Sequence, residues 1–283
     1  MTSKIIHVAH SPDSDDAFMF YALAKGKIDT HGYEFRHTLS DIETLNQKAL
    51  QGVYEVSAIS FHAFPQVADK YALLSCGSSM GDGYGPMVIS REPVGPEVIK
   101  EKTIAIPGKL TTAYLALQIY HPGVRVTAMP FDEILPAVAS GKVDLGLIIH
   151  EGQLTYGQEG VHCVLDLGVW WRDLTGGLPL PLGGNVIRKD LGEAACIELD
   201  EILRQGIQYS LDHRKEALDY ALSFARGMDP KLADKFVGMY VNDLTVDYGE
   251  RGRLALHRLF DEAVAKGILS AKPDLSFVGQ KAA

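Results

Sequence analysis

The chain contains no cluster of basic residues, no unbroken apolar stretch of about 18 residues, and no C-x-x-C pair among its three cysteines, Cys76, Cys163 and Cys196. The first absence argues against nucleic acid, because neutralising phosphates requires grouped Lys and Arg. Here 36 acidic residues outweigh 27 basic ones, for a net charge of −9. The second argues against a membrane span, and the third against a disulfide frame or a structural zinc knuckle. The opening MTSKIIHVAHSPDSDD has one lysine and a short apolar run that soon meets acids, unlike a secretory leader. The expected setting is therefore the reducing cytoplasm.

What is present is an ordinary globular composition, 46% hydrophobic and 22% charged over 283 residues. Single cores stop growing near about 250–300 residues, so two lobes are expected. Strand-like and helix-like patterns alternate, which predicts an α/β fold. Strands are expected over 4–9, 53–59, 71–76, 87–90, 102–106, 143–149, 161–166 and 183–188. The 143–149 run is almost continuously apolar, as a strand covered on both faces would be. Helices are expected over 17–24, after a capping box Ser40-Asp-Ile-Glu43, after Ser60, after Thr111-Thr112, and from Phe131. The stretch 170–182 reads as irregular. From Leu191 onward three helices are expected, over 193–226, 230–241 and 250–266. In the last, Leu256, Leu259, Phe260 and Ala263 share a face. Two similar segments, GYGPMVISRE (83–92) and PLGGNVIRKD (181–190), read as paired crossings between lobes. They predict one lobe from 1–88 plus 187–283, carrying the C-terminal helices, and an inserted lobe over 89–186.

In open α/β sheets ligands gather beyond the carboxyl ends of the strands, where helix N-termini favour anions. Four such ends fall at 11–16, 57–60, 108–112 and 150–156. Thr111, Thr112 and Ser60 serve equally as simple caps or as anion-site residues. Asn46 lies off the apolar stripe of its helix, where a solvated residue is ordinary. His150, at the end of a buried strand, suits a general base because imidazole titrates near neutrality, although a carbonyl-bound structural histidine is commoner. Neighbouring Glu151 could orient it. His162 and Cys163 alternate across a strand and cannot form a nucleophilic pair. Asp13, Asp15 and Asp16 lack the glycine and glutamate of a calcium loop. Glycines 81, 83 and 85 match neither a dinucleotide fingerprint nor a P-loop. Trp170 and Trp171 could wall an aromatic ligand, but packing is the commoner use of such a pair.

Taken together, Ser11-Pro-x-x-x-Asp-x-Phe-x-Phe, Asp41-Ile-Glu-Thr-Leu-Asn46, Thr111-Thr112-Ala-Tyr, Asp132-Glu-Ile-Leu-Pro136 and Ile149-His-Glu-Gly-x-x-Thr-Tyr156 resemble the 1,4-dihydroxy-6-naphthoate synthase family of the futalosine route to menaquinone. Asp166-Leu-Gly-x-Trp-Trp171 and Leu178-Pro-x-Pro-Leu-Gly183 belong to the same pattern. The resemblance runs to about residue 265. It implies a two-lobed periplasmic-binding-protein-like (type II) fold with a two-strand hinge and a cleft between lobes. It also implies a lyase that converts cyclic dehypoxanthinyl futalosine to 1,4-dihydroxy-6-naphthoate without metal or organic cofactor. By the same resemblance His150 is the proton acceptor, Ala58, Ile59, Ser60, Thr111 and Thr112 bind substrate, and Asn46 and Asp16 line the cleft. The family's first loop more commonly reads Ser-Pro-Cys-Pro-Asn-Asp, and a lysine often stands where this chain has Ala58. The sibling chorismate dehydratases share the fold and pathway. A non-catalytic small-carboxylate-binding protein would share the fold alone.

Overall fold

The structure, a computed structural model, describes residues 4–224 and 229–279. The first three residues of the opening segment, and the last two of the helix expected over 193–226, lie outside the described residues. Two compact units emerge: one from residues up to 79, 183–249 and 273 onward, the other from 80–182 and 250–272.

The first unit opens with β1 (Lys4–His10), followed by a helical stretch split at Phe20 into α1 (Ser14–Met19) and α2 (Tyr21–Ala24). An unanticipated strand, β2 (Tyr33–Leu39), comes next, then α3 (Ile42–Leu50), β3 (Val56–Ser60), β4 (Tyr71–Leu73) and β5 (Ser79–Gly81). The strand β2 pairs parallel to β1, with half-buried Tyr33, Phe35 and His37 alternating with exposed Glu34 and Arg36. The helix α3 is capped by Asp41, whose side chain accepts the Thr44 N–H at 3.0 Å, and not by Ser40. Ser40 is still bound to the sheet, its N–H donating to the His10 carbonyl. Nor does Ser60 cap a helix; it closes β3, and only a short 3₁₀ turn at Phe64–Gln66 follows.

The second unit contains β6 (Met87–Ser90), β7 (Thr103–Ile106), α4 (Thr112–Tyr120), β8 (Arg125–Ala128) and α5 (Phe131–Ala139). It continues with β9 (Leu145–Ile148), α6 (Gly152–Thr155), β10 (His162–Asp166) and α7 (Leu167–Thr175). Its strand order is β10-β6-β9-β7-β8, with β7 parallel to both β8 and β9 and β6 antiparallel to β9 and β10. The core packs Ile134, Leu135 and Val138 of α5 onto Ile89, Ala105 and Ile148. Part of the expected irregular stretch is the helix α7. Asp166 caps it by accepting the N–H groups of Gly168 and Val169, and Gly176 ends it in a left-handed conformation. Trp171 is fully buried there, its indole N–H donating to the Pro179 carbonyl at 2.9 Å, while Trp170 packs edge-on to Tyr120.

The chain returns through β11 (Leu180–Arg188), α8 (Glu193–Asp212), α9 (Arg214–Leu222), α10 (Pro230–Tyr240), α11 (Asp243–Val246) and α12 (Gly249–Ala265). The first unit's sheet has the order β2-β1-β3-β11-β4, with β5 also on β11. Its core joins Ile6, Val8 and Val56 to Phe20 and to Leu199, Ile202 and Leu203 of α8.

The boundaries differ from those expected at 88/89 and 186/187. The strand β6 lies wholly inside the second unit's sheet, between β9 and β10, so the division falls at 79/80. Gly183 already pairs with Ser60 of β3, which places the return at 182/183. Residues 250–272 group with the second unit and not the first, and within them Arg251 grips both Asp82 oxygens, at 2.7 and 2.8 Å, and the Gly177 carbonyl at 2.6 Å.

Close backbone packing in the second unit depends on Gly168, where an added Cβ would stand 1.9 Å from the Tyr84 carbonyl oxygen. Gly168→Ala is therefore expected to destabilise the protein by about 3 kcal/mol, an overpacking cost that chain relaxation cannot avoid when the neighbour is backbone. Urea denaturation checks this; a midpoint equal to the parent's would disprove the tight contact.

Candidate functional site

Parallel strands end on the same edge of a sheet. In the second unit Ile106 of β7 pairs with Ala128 of β8, and Ala105 pairs with Gly146 of β9. The segments that follow therefore bring Thr111-Thr112, Phe131 and His150 to one edge. All three polar residues are buried, with Thr111 2%, Thr112 1% and His150 8% exposed. Thr111 caps α4: its hydroxyl donates to the Gly108 carbonyl and accepts the Tyr114 N–H. Thr112 donates its hydroxyl to the Leu182 carbonyl. Both hydroxyl hydrogens are thus engaged by carbonyls, and the attraction this corner offers an anion is the positive end of the nine-residue helix α4.

His150 is held at both ring nitrogens. The Phe131 carbonyl can only accept, so Nε2, 3.3 Å away, carries the hydrogen. The Gly152 N–H can only donate, so Nδ1, 2.9 Å away, presents its lone pair. One neutral tautomer satisfies both contacts. The Phe131 ring stands edge-on at 5.2 Å, and the Glu151 carboxylate lies 4.0 Å from Nδ1. Gly152 has no alternative here: a Cβ would sit 2.8 Å from His150 Cε1.

The first unit gathers a second set at the carboxyl ends of β1, β2 and β3. The Ser11 N–H donates to Asp16 Oδ2 at 2.7 Å and the Ser11 hydroxyl to Asp13 Oδ2 at 2.8 Å. Loss of water around the Asp16 carboxyl pushes its pKa up to about 7; the Ser11 N–H opposes this and the Asp13 charge adds to it. His10 donates Nδ1–H to the Ser11 carbonyl and accepts from His37 Nδ1 at 3.1 Å, stacked on Phe20 at 4.4 Å. Burial first, then His37, lower its pKa to about 3, so it is a neutral imidazole at physiological pH. Asn46 is fully buried and clamps Ser60, with Oδ1 accepting the Ser60 N–H at 2.8 Å and Nδ2 donating to its hydroxyl at 3.1 Å.

A family model described as menaquinone biosynthesis matches residues 6–265. A curated relative from Thermus thermophilus, 1,4-dihydroxy-6-naphtoate synthase, is 41% identical over 97% of this chain and 100% of its own. The chain belongs to the menaquinone-biosynthesis family of 1,4-dihydroxy-6-naphthoate synthases. A crystal structure of a protein from Archaeoglobus fulgidus superimposes with a TM-score of 0.89 at 46% identity, covering 94% of this chain and 98% of that one. The alkanesulfonate-binding protein SsuA from Xanthomonas axonopodis pv. citri shares the fold alone, with a TM-score of 0.70 at 12% identity, covering 98% and 97%. The architecture of this synthase-family member is thus periplasmic-binding-protein-like, built on two mixed sheets.

Against that background, the residues singled out in sequence form two groups. Thr111, Thr112 and His150 share the second unit's edge, while Asp16, Asn46 and the strand 58–60 share the first unit's. Two of them are packed into apolar surroundings. Ala58 packs with Ala9 and Leu45 in an apolar cluster under α3, and Ile59 is fully buried on the opposite face of β3. Asn46, expected off the buried stripe, faces inward and acts on Ser60. Sequence reasoning passed over the His10–His37 pair, because it becomes visible only once β2 is placed beside β1.

An ionised Asp16 is disfavoured in the folded chain, a burden absent below about pH 4, growing as pH rises and complete above about pH 7. Asp16→Asn keeps an acceptor for Ser11 N–H and removes the charge. Its Tm is expected to exceed the parent's by about 5 °C at pH 8 and to converge with it near pH 4. Thermal scans at the two pH values decide this; a constant offset would show that burial does not act on the charge.

Proposed function

We propose that this member of the synthase family converts cyclic dehypoxanthinyl futalosine to 1,4-dihydroxy-6-naphthoate in the cytoplasm, with His150 as general base. The observation that carries the activity is 41% identity to a 1,4-dihydroxy-6-naphtoate synthase over that relative's whole length. The lone pair of a buried imidazole at the strand edge, with its other nitrogen fixed by a backbone carbonyl, supports the role of His150. Three free cysteines, two of them buried, suit a reducing compartment.

The chemistry asks little beyond a base and a grip. Taking a proton from the substrate starts an aldol-type cleavage that frees the sugar-derived fragment, and the aromatic product supplies the thermodynamic pull. Nδ1 is the atom that takes the proton, since Nε2 already bears one, and the substrate reaches its single lone pair by displacing the Gly152 N–H. The naphthoate carboxylate is placed at the N-terminus of α4, where Thr111 and Thr112 shape the turn, with affinity drawn from the helix end and its backbone N–H groups. On the first unit's own edge, Ser60, fixed by Asn46, and Asp16, poised near neutrality, are the polar groups open to a ligand.

Purified protein mixed with cyclic dehypoxanthinyl futalosine is expected to yield 1,4-dihydroxy-6-naphthoate by chromatography; its absence from folded protein would reject the substrate. His150→Asn is expected to lower kcat by at least about a hundredfold, within the 10²–10⁴ range of a positioned base, with KM changed less than about threefold. Turnover near that of the parent would remove His150 from the role.

A further inference from the structure

We propose that Glu151 is a positioning residue that takes over Nδ1 of His150 once the ring accepts a proton, and that the Gly152 N–H is the partner it replaces. The inference rests on His150 as the base and adds how the charged ring is received.

In the structure Nδ1 accepts the Gly152 N–H at 2.9 Å. Nδ1 has a single in-plane lone pair, so the substrate donor reaches it by displacing the Gly152 N–H; the proton then passes to Nδ1, the substrate keeps the bonding electron pair, and an Nδ1–H bond forms. The charged ring and the Gly152 N–H are both donors, so their contact cannot re-form while the proton stays on Nδ1. Nε2–H still has the Phe131 carbonyl. Nδ1–H needs a new acceptor within reach, preferably an anionic one.

Glu151 meets that need. Its Oε2 lies 4.0 Å from Nδ1, so a modest rotation closes a hydrogen bond, and the two side chains are only 13% and 10% exposed. A charge-assisted contact in such a setting is stronger than a neutral one and less weakened by water. The nearby carboxylates of the first turn of α5, Asp132 and Glu133, are solvent-exposed.

The helix α6 that follows is only four residues long, and Glu151 already has helical dihedrals, φ −52° and ψ −18°, so the backbone need not change for its carboxylate to turn toward Nδ1. Gly152 is suited to the resting contact because any Cβ would press on the imidazole. When the proton passes on to the product side, the Gly152 N–H re-forms its bond and the ring returns to its starting tautomer.

Steady-state kinetics on Glu151→Gln and His150→Asn, assayed side by side, test this. Glu151→Gln is expected to lower kcat about tenfold to a hundredfold with KM within about threefold, because the amide cannot receive a cation as a carboxylate does. If His150→Asn collapses while Glu151→Gln turns over within twofold of the parent, the role of Glu151 is overturned and the base stands. If His150→Asn is near normal, the base reading fails and this inference falls with it. Should Glu151→Gln not fold, side-chain ¹⁵N NMR of the parent protein decides the matter. Alkaline buffer should show the Nε2–H tautomer of His150, and acidified buffer a downfield, slowly exchanging Nδ1–H. An Nδ1–H tautomer in the neutral ring, or a fast-exchanging Nδ1–H in the charged one, overturns the proposal.

Discussion

Parallel pairing obliges strands to finish on one side of a sheet, and in the second unit that geometric constraint gathers the candidate site residues. Because β7 runs parallel to both β8 and β9, the cap of α4, the start of α5 and the His150 turn rise together from one edge. A single antiparallel exchange among these three strands would move one of the groups to the opposite edge. The neighbouring strand β6 is antiparallel to β9, and its carboxyl end at Ser90 accordingly leads away from the Thr111, Phe131 and His150 segments.

The same edge satisfies its polar groups mainly from the backbone. Thr111, Thr112 and His150 are bound to main-chain atoms of Gly108, Tyr114, Leu182, Phe131 and Gly152, so their orientations follow from the path of the chain. Fixing groups in this way avoids the entropy of ordering long side chains. In a chain of net charge −9 it also lets an anion be met by helix dipole and N–H groups where general electrostatics would repel it. In the first unit burial acts on the charge of the corresponding edge instead. Burial keeps His10 uncharged and moves Asp16 to about 7, so the acid-rich first loop carries less negative charge than its sequence suggests.

Alternating strand and helix patterns, the four strand ends and the position of His150 were legible in the sequence because burial of apolar residues dictates them directly. Elements that depend on partners were not. The strand β2 is a half-exposed edge with charges between its apolar residues, and β8 has little buried surface of its own. The helix α7 hides behind two tryptophans and an Arg-Asp pair that resemble a loop, yet Asp166 and Gly176 cap it at both ends. The two glycine-flanked segments looked equivalent because they share composition. Register separates them: β6 pairs only within the second unit's sheet, whereas β11 continues into β3 and β4. Asn46 was misjudged for a related reason, since a buried amide is favourable only when every polar atom has a partner, and that partner, Ser60, lies 14 residues away on another element.

The two buried imidazoles differ in how their second ring nitrogen is held. His10 donates to a carbonyl and accepts from a second imidazole, and a proton added at Nε2 would meet His37, with Phe20 stacked on the ring. His150 also donates to a carbonyl, but its lone pair accepts the N–H of a short turn, with a carboxylate 4.0 Å away. Burial alone therefore does not set what a histidine can do. The partner of the second ring nitrogen differs: another imidazole at His10, and at His150 a glycine N–H beside a carboxylate, the arrangement on which the proposed base role rests.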